Sequence, residues 1–406
     1  MKMKKVRIGV VGAGFVSHLH MNAFSQIIGV PVEVLGVVSG SRQSAEKFAE
    51  KYGVSRVYDD YQSMLEDPDI DVVDICAPNI HHTQLCIDAA KAGKHIICEK
   101  PLTGAFGLNY EGEKAGEMSK LEMYKEAMDS ARAIVAAAEE NNVKICYAED
   151  YIYAPPVVKA KRLFKQSGGA ILELRSEESH SGSHAAYSRH WNLAGGGSLL
   201  RLGSHPLGLV LHLKHFEGEL RDGKPIRVKS VMADVGTLTH TDAFKQGKGE
   251  WIVDEWNDVE DWATVILTFE DGTKALIQSN DTTLGGIVNT LDIYSTNCVI
   301  KCDMASNDAV KAFAPAHEIF GDEYITEKIE TKAGWTFPSP DEDWMRGYPQ
   351  EMQDFAEAIF HDRRPISDGQ LGLEVVQVTY AAYLSAEQGR RVDLAELDKE
   401  IEELNS

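Results

Sequence analysis

The sequence predicts an α/β protein of two domains: a doubly wound parallel sheet, then an α+β domain with an open, mostly antiparallel sheet. From Val6 to Ala148, strand-like apolar runs alternate with helical runs, the pattern of a parallel sheet covered by helices. A glycine-rich turn, Gly12-Ala13-Gly14, follows the first run. After Pro156 the alternation stops and hairpin-like strand pairs replace it.

Composition limits the partners that the chain can have. Its 406 residues, 43% hydrophobic and 26% charged, suit a globular protein of about two domains. The formal net charge of −22 repels phosphate backbones and anionic lipid, so we expect neither nucleic acid nor membrane as a partner. The apolar run after the basic start is too short for a signal peptide or a membrane span, and the six cysteines lie mostly in strand-like runs. We therefore predict a cytoplasmic protein with reduced, structural thiols.

The first strand is predicted at Val6–Val11, and the turn after it reads G-x-G-x-x-S as far as Ser17. The first glycine permits a tight turn, the second lets a pyrophosphate approach the backbone, and a small third residue allows close helix packing. The candidate cofactor contacts here are Gly12, Gly14, Phe15 and Val16. Glycine-rich strand-to-helix turns also occur without a ligand, so the motif alone is weak evidence for a cofactor site. Its position at the start of a series of alternating strands and helices strengthens the interpretation.

The second strand, Val32–Val38, is not followed by the acidic residue that usually binds the adenosine ribose. Ser39, Ser41 and Arg42 stand there instead, and two hydroxyls with a guanidinium suit a 2′-phosphate. We therefore predict NADP, with NAD as the alternative. A second interpretation is that Ser41 only caps the next helix, predicted from Ala45 to Tyr52, while Arg42 is solvated.

A lysine at a strand end is the most informative feature of the first half. Strands are predicted at Asp71–Cys76 and His95–Cys98, and the latter runs into Glu99-Lys100-Pro101. In parallel sheets ligands gather outside the carboxyl ends of the strands, so Lys100 is expected to project into a cofactor crevice, while proline stops the strand. The alternative is an ordinary surface lysine.

The first domain is predicted to span residues 1–148 and the second residues 149–406. An insertion at about residues 103–123, rich in Gly, Glu and Lys, is either a lid or a solvated excursion. A helix at about Met123 to Glu140 and a strand at Lys144–Ala148 complete the first domain. The change of composition after Ala148 marks the boundary.

Near its start, the second domain has a dense polar cluster, which comprises Glu177, Glu178, His180, His184, Arg189, His190, Arg201 and His205. Strands are predicted at Ile171–Ser176 and in a hairpin of residues 263–269 and 273–278, with a flexible triple glycine, Gly195–Gly197, between them. Arg201 and His205 are one helical turn apart, which would put two basic side chains on one face. Such clustering of basic residues and histidines favours a site over isolated structural roles.

Together these motifs resemble the glucose-fructose oxidoreductase and inositol dehydrogenase (Gfo/Idh/MocA) family. The motifs are Gly12-Ala13-Gly14 with His20, Ala77-Pro78-Asn79 with His82, Glu99-Lys100-Pro101, the triple glycine with His205, and Tyr383-x-Ser385-Ala386-x-x-Gly389. The resemblance implies a Rossmann domain, a C-terminal α/β domain whose open sheet often serves oligomerisation, and a final helical segment packed on the first domain. We accordingly expect a homo-oligomer, either a dimer or a tetramer.

The resemblance also implies roles for individual residues. Lys100 matches the family lysine that contacts substrate and cofactor, and His205 matches the general acid/base. The remaining candidate cofactor contacts are Pro78, Asn79, His82, Glu99 and Lys100, and the candidate substrate contacts are Lys100, Tyr151, His180, His184, Arg201 and His205. The sequence departs from the family at Arg201, where an aspartate is common, and a guanidinium cannot exchange protons at neutral pH.

The resulting functional hypothesis is an NAD(P)-dependent oxidoreductase that moves hydride between a nicotinamide and a secondary hydroxyl or carbonyl of a sugar, sugar acid or glycoside. One alternative is a redox-neutral glycosidase that oxidises the sugar transiently, eliminates the substituent and regains its oxidised cofactor. Another is a non-catalytic dinucleotide-binding sensor.

Arg201 leaves three interpretations open. It could bind an acidic substrate group, with His180 and His184 shaping the pocket. Alternatively, Glu149, His180 and His205 could bind a divalent cation. In the third interpretation Arg201 forms a structural ion pair with Glu177 or Glu178.

Overall fold

A computed structural model of the chain describes residues 5–247, 250–305 and 310–405. The chain divides into two compact units, and neither is one continuous segment. The first unit comprises Met1–Gly104, Ala127–Tyr153 and Gly347–Val376, and the second Ala105–Glu126, Ala154–Arg346 and Gln377–Ser406. The sequence predicted a single boundary, between residues 148 and 149. In the structure the two units alternate along the chain, because residues 105–126 belong with the second unit and residues 347–376 with the first.

The first unit is built on a six-stranded parallel sheet. Its strands are β1 Val6–Val11, β2 Val32–Val38, β3 Arg56–Val57, β4 Val72–Ile75, β5 His95–Glu99 and β6 Ile145–Ala148. Their order is β3-β2-β1-β4-β5-β6, with every neighbouring pair parallel. This is the doubly wound order that reverses beside the first strand, so the predicted fold class of the first domain is confirmed.

Helices connect these strands. They are α1 Phe15–Phe24, α2 Arg42–Tyr52, α3 Tyr61–Glu66, α4 His82–Lys91 and α5 Lys120–Glu140, followed near the end of the chain by α12 Tyr348–Phe360. Helix α2 begins three residues before the predicted Ala45, because the Ser41 side chain accepts a hydrogen bond from the Ser44 N–H and caps it there. It ends at Gly53, whose φ of 68° is the left-handed conformation of a helix C-cap.

The second unit contains a seven-stranded mixed sheet, as predicted mostly antiparallel. Its strands are β7 Ile171–Ser179, β8 Val228–Gly236, β9 Trp262–Phe269, β10 Lys274–Asn280, β11 Val288–Ser295, β12 Val299–Asp303 and, late in the chain, β15 Val392–Asp393. They lie in the order β12-β11-β7-β10-β9-β8-β15, and only β7 and β10 run parallel. The hairpin of β9 and β10 turns at Gly272, whose φ is 85°. A separate two-stranded ribbon pairs β13 Ala312–Ala314 with β14 Gly334–Thr336.

The other helices are α6 Pro155–Ser167, α7 Trp191–Ala194, α8 Ser198–Arg201, α9 Ser204–Asp222, α10 Asp242–Gln246, α11 Glu342–Arg346, α13 Gly369–Gln388 and α14 Leu394–Asn405. Helix α9 packs on β7 and β10 and covers one face of the large sheet. Across the described ranges, no helix combines the length and apolar character that a bilayer crossing requires.

The opposite face of the large sheet is partly exposed. One cross-strand row on it runs through paired residues Met232, Ile266, Leu276, Arg175, Asp292 and Lys301. Met232 and Ile266 are 43% and 39% exposed. Alternation of inward and outward side chains along antiparallel strands produces such a face, which is apolar at one end of this row and charged at the other.

Candidate active site

The turn between β1 and α1 has the shape that a dinucleotide pyrophosphate needs. Gly12 has a φ of 108°, and a Cβ there would lie 2.7 Å from the Cys76 carbonyl oxygen, so only glycine fits. A Cβ on Gly14 would meet nothing within 4 Å, and Phe15 is 67% exposed. Helix α1 begins without a side-chain cap, which leaves its first N–H groups available to a phosphate. Val16 is half-buried on the same turn.

The residues at the end of β2 already have partners. Ser41 caps α2, as the alternative interpretation of the sequence expected, and Ser39 is half-buried. Arg42 is exposed and pairs with Glu46 at 2.9 Å and with Asp59. A 2′-phosphate at this position would therefore compete with two carboxylates for the guanidinium.

The segments after β4 and β5 are joined through a buried histidine. His82 is fully buried, and its Nδ1 and Nε2 lie 2.8 Å and 2.9 Å from the carbonyl oxygens of Pro101 and Ala77. Both ring nitrogens thus contact the backbone, so His82 positions these two loops. Pro78 is exposed beside them, and Asn79 is buried.

The end of β5 is held by a second buried histidine. His20 of α1 lies with Nε2 2.9 Å from Glu99 Oε1 and Nδ1 2.9 Å from Asp74 Oδ1. The other Glu99 oxygen accepts the backbone N–H of Lys100 at 3.1 Å. Burial is the largest single effect on the pKa of His20 and lowers it, but the contacts with Asp74 and Cys76 together outweigh burial and raise that pKa well above its ordinary value.

Two candidates follow β6 within the same unit. Glu149 is fully buried directly after the strand, and Tyr151 is 3% exposed in the turn beyond it. Both therefore lie at the carboxyl end of the parallel sheet, where ligands of this fold class bind.

In the second unit the triple glycine is packed, in contrast to the flexible segment that the sequence suggested. A Cβ on Gly196 would lie 2.4 Å from the Tyr383 hydroxyl, and one on Gly197 would lie 1.9 Å from the Glu260 carbonyl oxygen. The Glu260 carboxylate accepts the N–H groups of Gly197 and Leu199 at 3.0 Å and 2.9 Å, and the Tyr383 hydroxyl at 2.7 Å. The glycines are needed because backbone and side chains approach so closely.

Arg201 and His205 do not lie on one continuous helix, which corrects the expectation from their spacing. Arg201 ends α8, and His205 lies at the start of α9. The N–H of Gly203 bonds the carbonyl of Ser198, and the N–H of His205 bonds that of Leu202, so the regular helical ladder is interrupted between them.

Arg201 forms an ion pair with Asp281, a residue that sequence reasoning missed. Its guanidinium also lies 5.2 Å from the centre of the Trp256 ring. Asp281 is fully buried, and burial raises its pKa while Arg201 opposes that rise. Of the two glutamates proposed as partners for Arg201, Glu177 instead accepts the hydroxyl of Ser179 at 2.7 Å.

The histidines of the cluster are in different environments. His180 is buried, and its Nδ1 lies 3.6 Å from Asp281 Oδ1. The same Nδ1 accepts the Gly182 N–H at 2.9 Å, so in the neutral ring Nε2 carries the proton. His205 is 5% exposed, with Nε2 3.8 Å from Glu178 Oε2. His184 is exposed. Lys328, also missed from the sequence, donates to the Gly182 carbonyl at 3.0 Å.

Both halves of the chain match family models. Residues 6–122 match the "oxidoreductase family, NAD-binding Rossmann fold", and residues 167–394 match the "oxidoreductase family, C-terminal alpha/beta domain". A D-glucoside 3-dehydrogenase of Escherichia coli is 25% identical over 97% of this chain and 99% of its own length. A levoglucosan dehydrogenase of Pseudarthrobacter phenanthrenivorans is 28% identical over 52% of each chain.

A solved structure shares the whole fold. GenD2 from gentamicin A biosynthesis, solved in complex with NAD, superposes with a TM-score of 0.77 at 23% identity over 97% of each chain. The resemblance drawn from the motifs is thereby confirmed. The chain belongs to the Gfo/Idh/MocA family of oxidoreductases, with an NAD-binding Rossmann fold followed by the family's C-terminal alpha/beta domain.

Proposed function

We propose that the protein transfers hydride between a nicotinamide dinucleotide and a secondary hydroxyl or carbonyl of a sugar, sugar acid or glycoside. The observation that carries this proposal is the arrangement at the carboxyl end of the parallel sheet. There an uncapped helix start faces open space at Gly14, and β5 ends at Glu99, directly before Lys100. Relatives named as glucoside and levoglucosan dehydrogenases support a sugar-like substrate.

The dinucleotide, when bound, supplies the carbon that accepts or returns a hydride. We assign the proton on the substrate hydroxyl to His205, as general base in oxidation and general acid in reduction. The nearby Glu178 carboxylate favours the imidazolium that forms when His205 takes that proton. Lys100 is proposed to orient the same hydroxyl by donating a hydrogen bond. Tyr151 is proposed to line the substrate pocket.

The test of this assignment is the pair of variants Lys100→Ala and His205→Ala. Each should lower turnover of an accepted sugar about 10²–10⁴-fold, the usual contribution of a general acid or base. Dinucleotide binding, followed by fluorescence titration, and the melting temperature should stay close to those of the unsubstituted protein. His240→Ala, at an exposed histidine of the second unit, is the matched control.

The absorbance of the reduced nicotinamide separates this function from its alternatives. It should accumulate in proportion to the sugar oxidised. A glycoside cleaved without net absorbance change would instead support the redox-neutral glycosidase, and tight dinucleotide binding without turnover on any polyol would support the sensor. A loss below tenfold in His205→Ala would count against its role.

We propose further that Arg201 recognises an acidic group of the substrate. The Arg201 guanidinium has five N–H donors, and Asp281 accepts a hydrogen bond from one of its nitrogens. The ion pair therefore holds the guanidinium in a fixed orientation. His180, with its proton on Nε2, would add a neutral donor, and His184 would contribute from the exposed rim. The divalent-cation alternative at Glu149, His180 and His205 is weaker, because a neutral His180 whose Nδ1 accepts a hydrogen bond has no lone pair left on Nε2.

We infer a cytoplasmic, homo-oligomeric enzyme that uses NADP in preference to NAD. All six cysteines carry free thiols, which supports a reducing compartment. The partly exposed face of the seven-stranded sheet supports self-association. Arg42 with Ser39 and Ser41 supports a 2′-phosphate, and NAD is the alternative because the family is NAD-binding.

A further inference from the structure

His20 is enclosed by ionisable groups from several elements of the first unit. Asp74 of β4 and Glu99 of β5 each lie 2.9 Å from one of its two ring nitrogens. The Cys76 thiol lies 3.4 Å from Nδ1, and burial raises the pKa of that thiol to about 12, so it is neutral. Glu351 of α12 also interacts with His20, with Glu99 and with the neighbouring Glu149 and Asp150.

The charge state of His20 follows from these contacts. A neutral imidazole has one N–H, whereas two carboxylate oxygens at hydrogen-bond distance require two donors. His20 therefore carries both protons. Burial, together with the charge of Asp150, raises the pKa of Glu351 well above its ordinary value, which favours the neutral form of that carboxyl beside His20.

The connection to the candidate catalytic lysine runs through one carboxylate. Glu99 uses Oε1 for the His20 ring and Oε2 for the backbone N–H of Lys100. Both oxygens of the side chain are thus committed, and Asp74 fixes the far side of the ring with two contacts at 2.9 Å and 3.1 Å. The chain of contacts from Asp74 to the Lys100 backbone lies almost entirely out of solvent.

We propose that His20 is a positioning residue for Lys100, acting as a permanently protonated bridge between Asp74 and Glu99 that fixes the end of β5. The proposal rests on the proposed role of Lys100 in the reaction. His20 itself touches neither substrate nor dinucleotide in this scheme. It aligns the carboxylate that holds the strand end, and a misplacement of about 1 Å at a reacting group can cost about a hundredfold in rate.

The direct test is nitrogen NMR of histidine-labelled protein without dinucleotide. Both ring nitrogens of His20 should remain protonated from pH 6 to pH 9, where an ordinary histidine with a pKa of about 6.5 titrates. An unprotonated ring nitrogen at pH 7 would overturn the proposal. This spectrum does not depend on the reaction, so its outcome stands even if the proposed sugar oxidation fails in every assay.

Variants then separate charge bridging from space filling. His20→Gln leaves two buried carboxylates without a cation, so its melting temperature should lie several degrees below that of the unsubstituted protein at pH 6. This difference should shrink as pH rises to 9, because a histidine with a raised pKa adds stability below its ordinary pKa and loses it as pH rises towards the folded-state pKa. The double variant His20→Gln/Asp74→Asn retains one carboxylate and should regain most of that loss. Turnover of His20→Gln should fall about tenfold to hundredfold with little change in the KM for dinucleotide, and the double variant should recover part of it.

Cys76→Ala is the matched control, because it removes the neighbouring thiol and leaves both carboxylate contacts in place. Its turnover and melting temperature should stay near those of the unsubstituted protein. Equal losses in the single and double variants, or losses that do not depend on pH, would show that His20 only fills space and would overturn the proposal.

Discussion

Arg42 is the residue on which the proposed NADP preference depends. The Arg42 guanidinium would make a charge-assisted contact to a 2′-phosphate, so Arg42→Ala should weaken NADP binding roughly tenfold to hundredfold and NAD binding far less. Isothermal titration with each dinucleotide measures both affinities. Equal loss for both, or a preference of the unsubstituted protein for NAD, would contradict the proposal.

Asp59 provides the matched control at the same site. It pairs with the Arg42 guanidinium, so Asp59→Asn should release that group and strengthen NADP binding relative to NAD. If Arg42 formed only surface ion pairs and did not contact the dinucleotide, Asp59→Asn would leave the ratio of the NADP and NAD affinities unchanged.

Arg201 is the residue on which the proposed recognition of an acidic substrate depends. We expect Arg201→Ala to raise the KM for carboxylate-bearing sugars about tenfold to hundredfold and to change the KM for neutral glycosides little. Arg201→Lys should recover only part of the loss, because an ammonium lacks the planar fork of a guanidinium. Arg221→Ala, at an arginine 49% exposed on α9, controls for a general change of charge.

Metal analysis tests the competing explanation of the same cluster. Protein purified without chelator should contain no stoichiometric divalent cation, and chelator treatment should leave turnover unchanged. Stoichiometric metal, with activity lost on its removal, would favour the site of Glu149, His180 and His205 over an anion-binding Arg201.

At the scale of elements, sequence was sufficient for five of the six strands of the first sheet, because local pattern determines them, whereas the two-residue strand β3 was missed. The apolar runs, the G-x-G turn and the proline after Lys100 each depend on neighbouring residues, and β1, β2 and β5 lie where the pattern placed them. Helix limits were less accurate, since α2 begins at the cap formed by Ser41 rather than at the first apolar residue.

The partners in the second unit could not be predicted because they depend on distant strand pairing. Strand β10 lies parallel to β7, with Asn280 opposite Ser179, although the two residues are far apart in sequence. That pairing places Asp281, just beyond β10, near His180, just beyond β7. The packing of the triple glycine likewise depends on Glu260 and Tyr383, which no local pattern connects to it.

At the scale of the whole molecule, one face of the large sheet is partly exposed at Met232 and Ile266. Its row from Met232 through Ile266 to Leu276 is apolar, and the same row ends in the charged residues Arg175, Asp292 and Lys301. In a protein of formal net charge −22, non-specific self-association is opposed by repulsion. Association through this face would therefore depend on the apolar strip together with matched charges.

The proposed homo-oligomer can be tested on this strip with Ile266→Asp. In a two-fold interface each substitution occurs twice, and burying an isoleucine is worth about 1.5–3 kcal/mol, so dimerisation should weaken at least about a hundredfold. Light scattering after size exclusion should show a dimer or tetramer for the unsubstituted protein and smaller species for the variant. Leu284→Asp, at a leucine 49% exposed outside the strands, should leave the mass unchanged. A monomeric unsubstituted protein, or an Ile266→Asp variant of unchanged mass, would rule out this face as the interface.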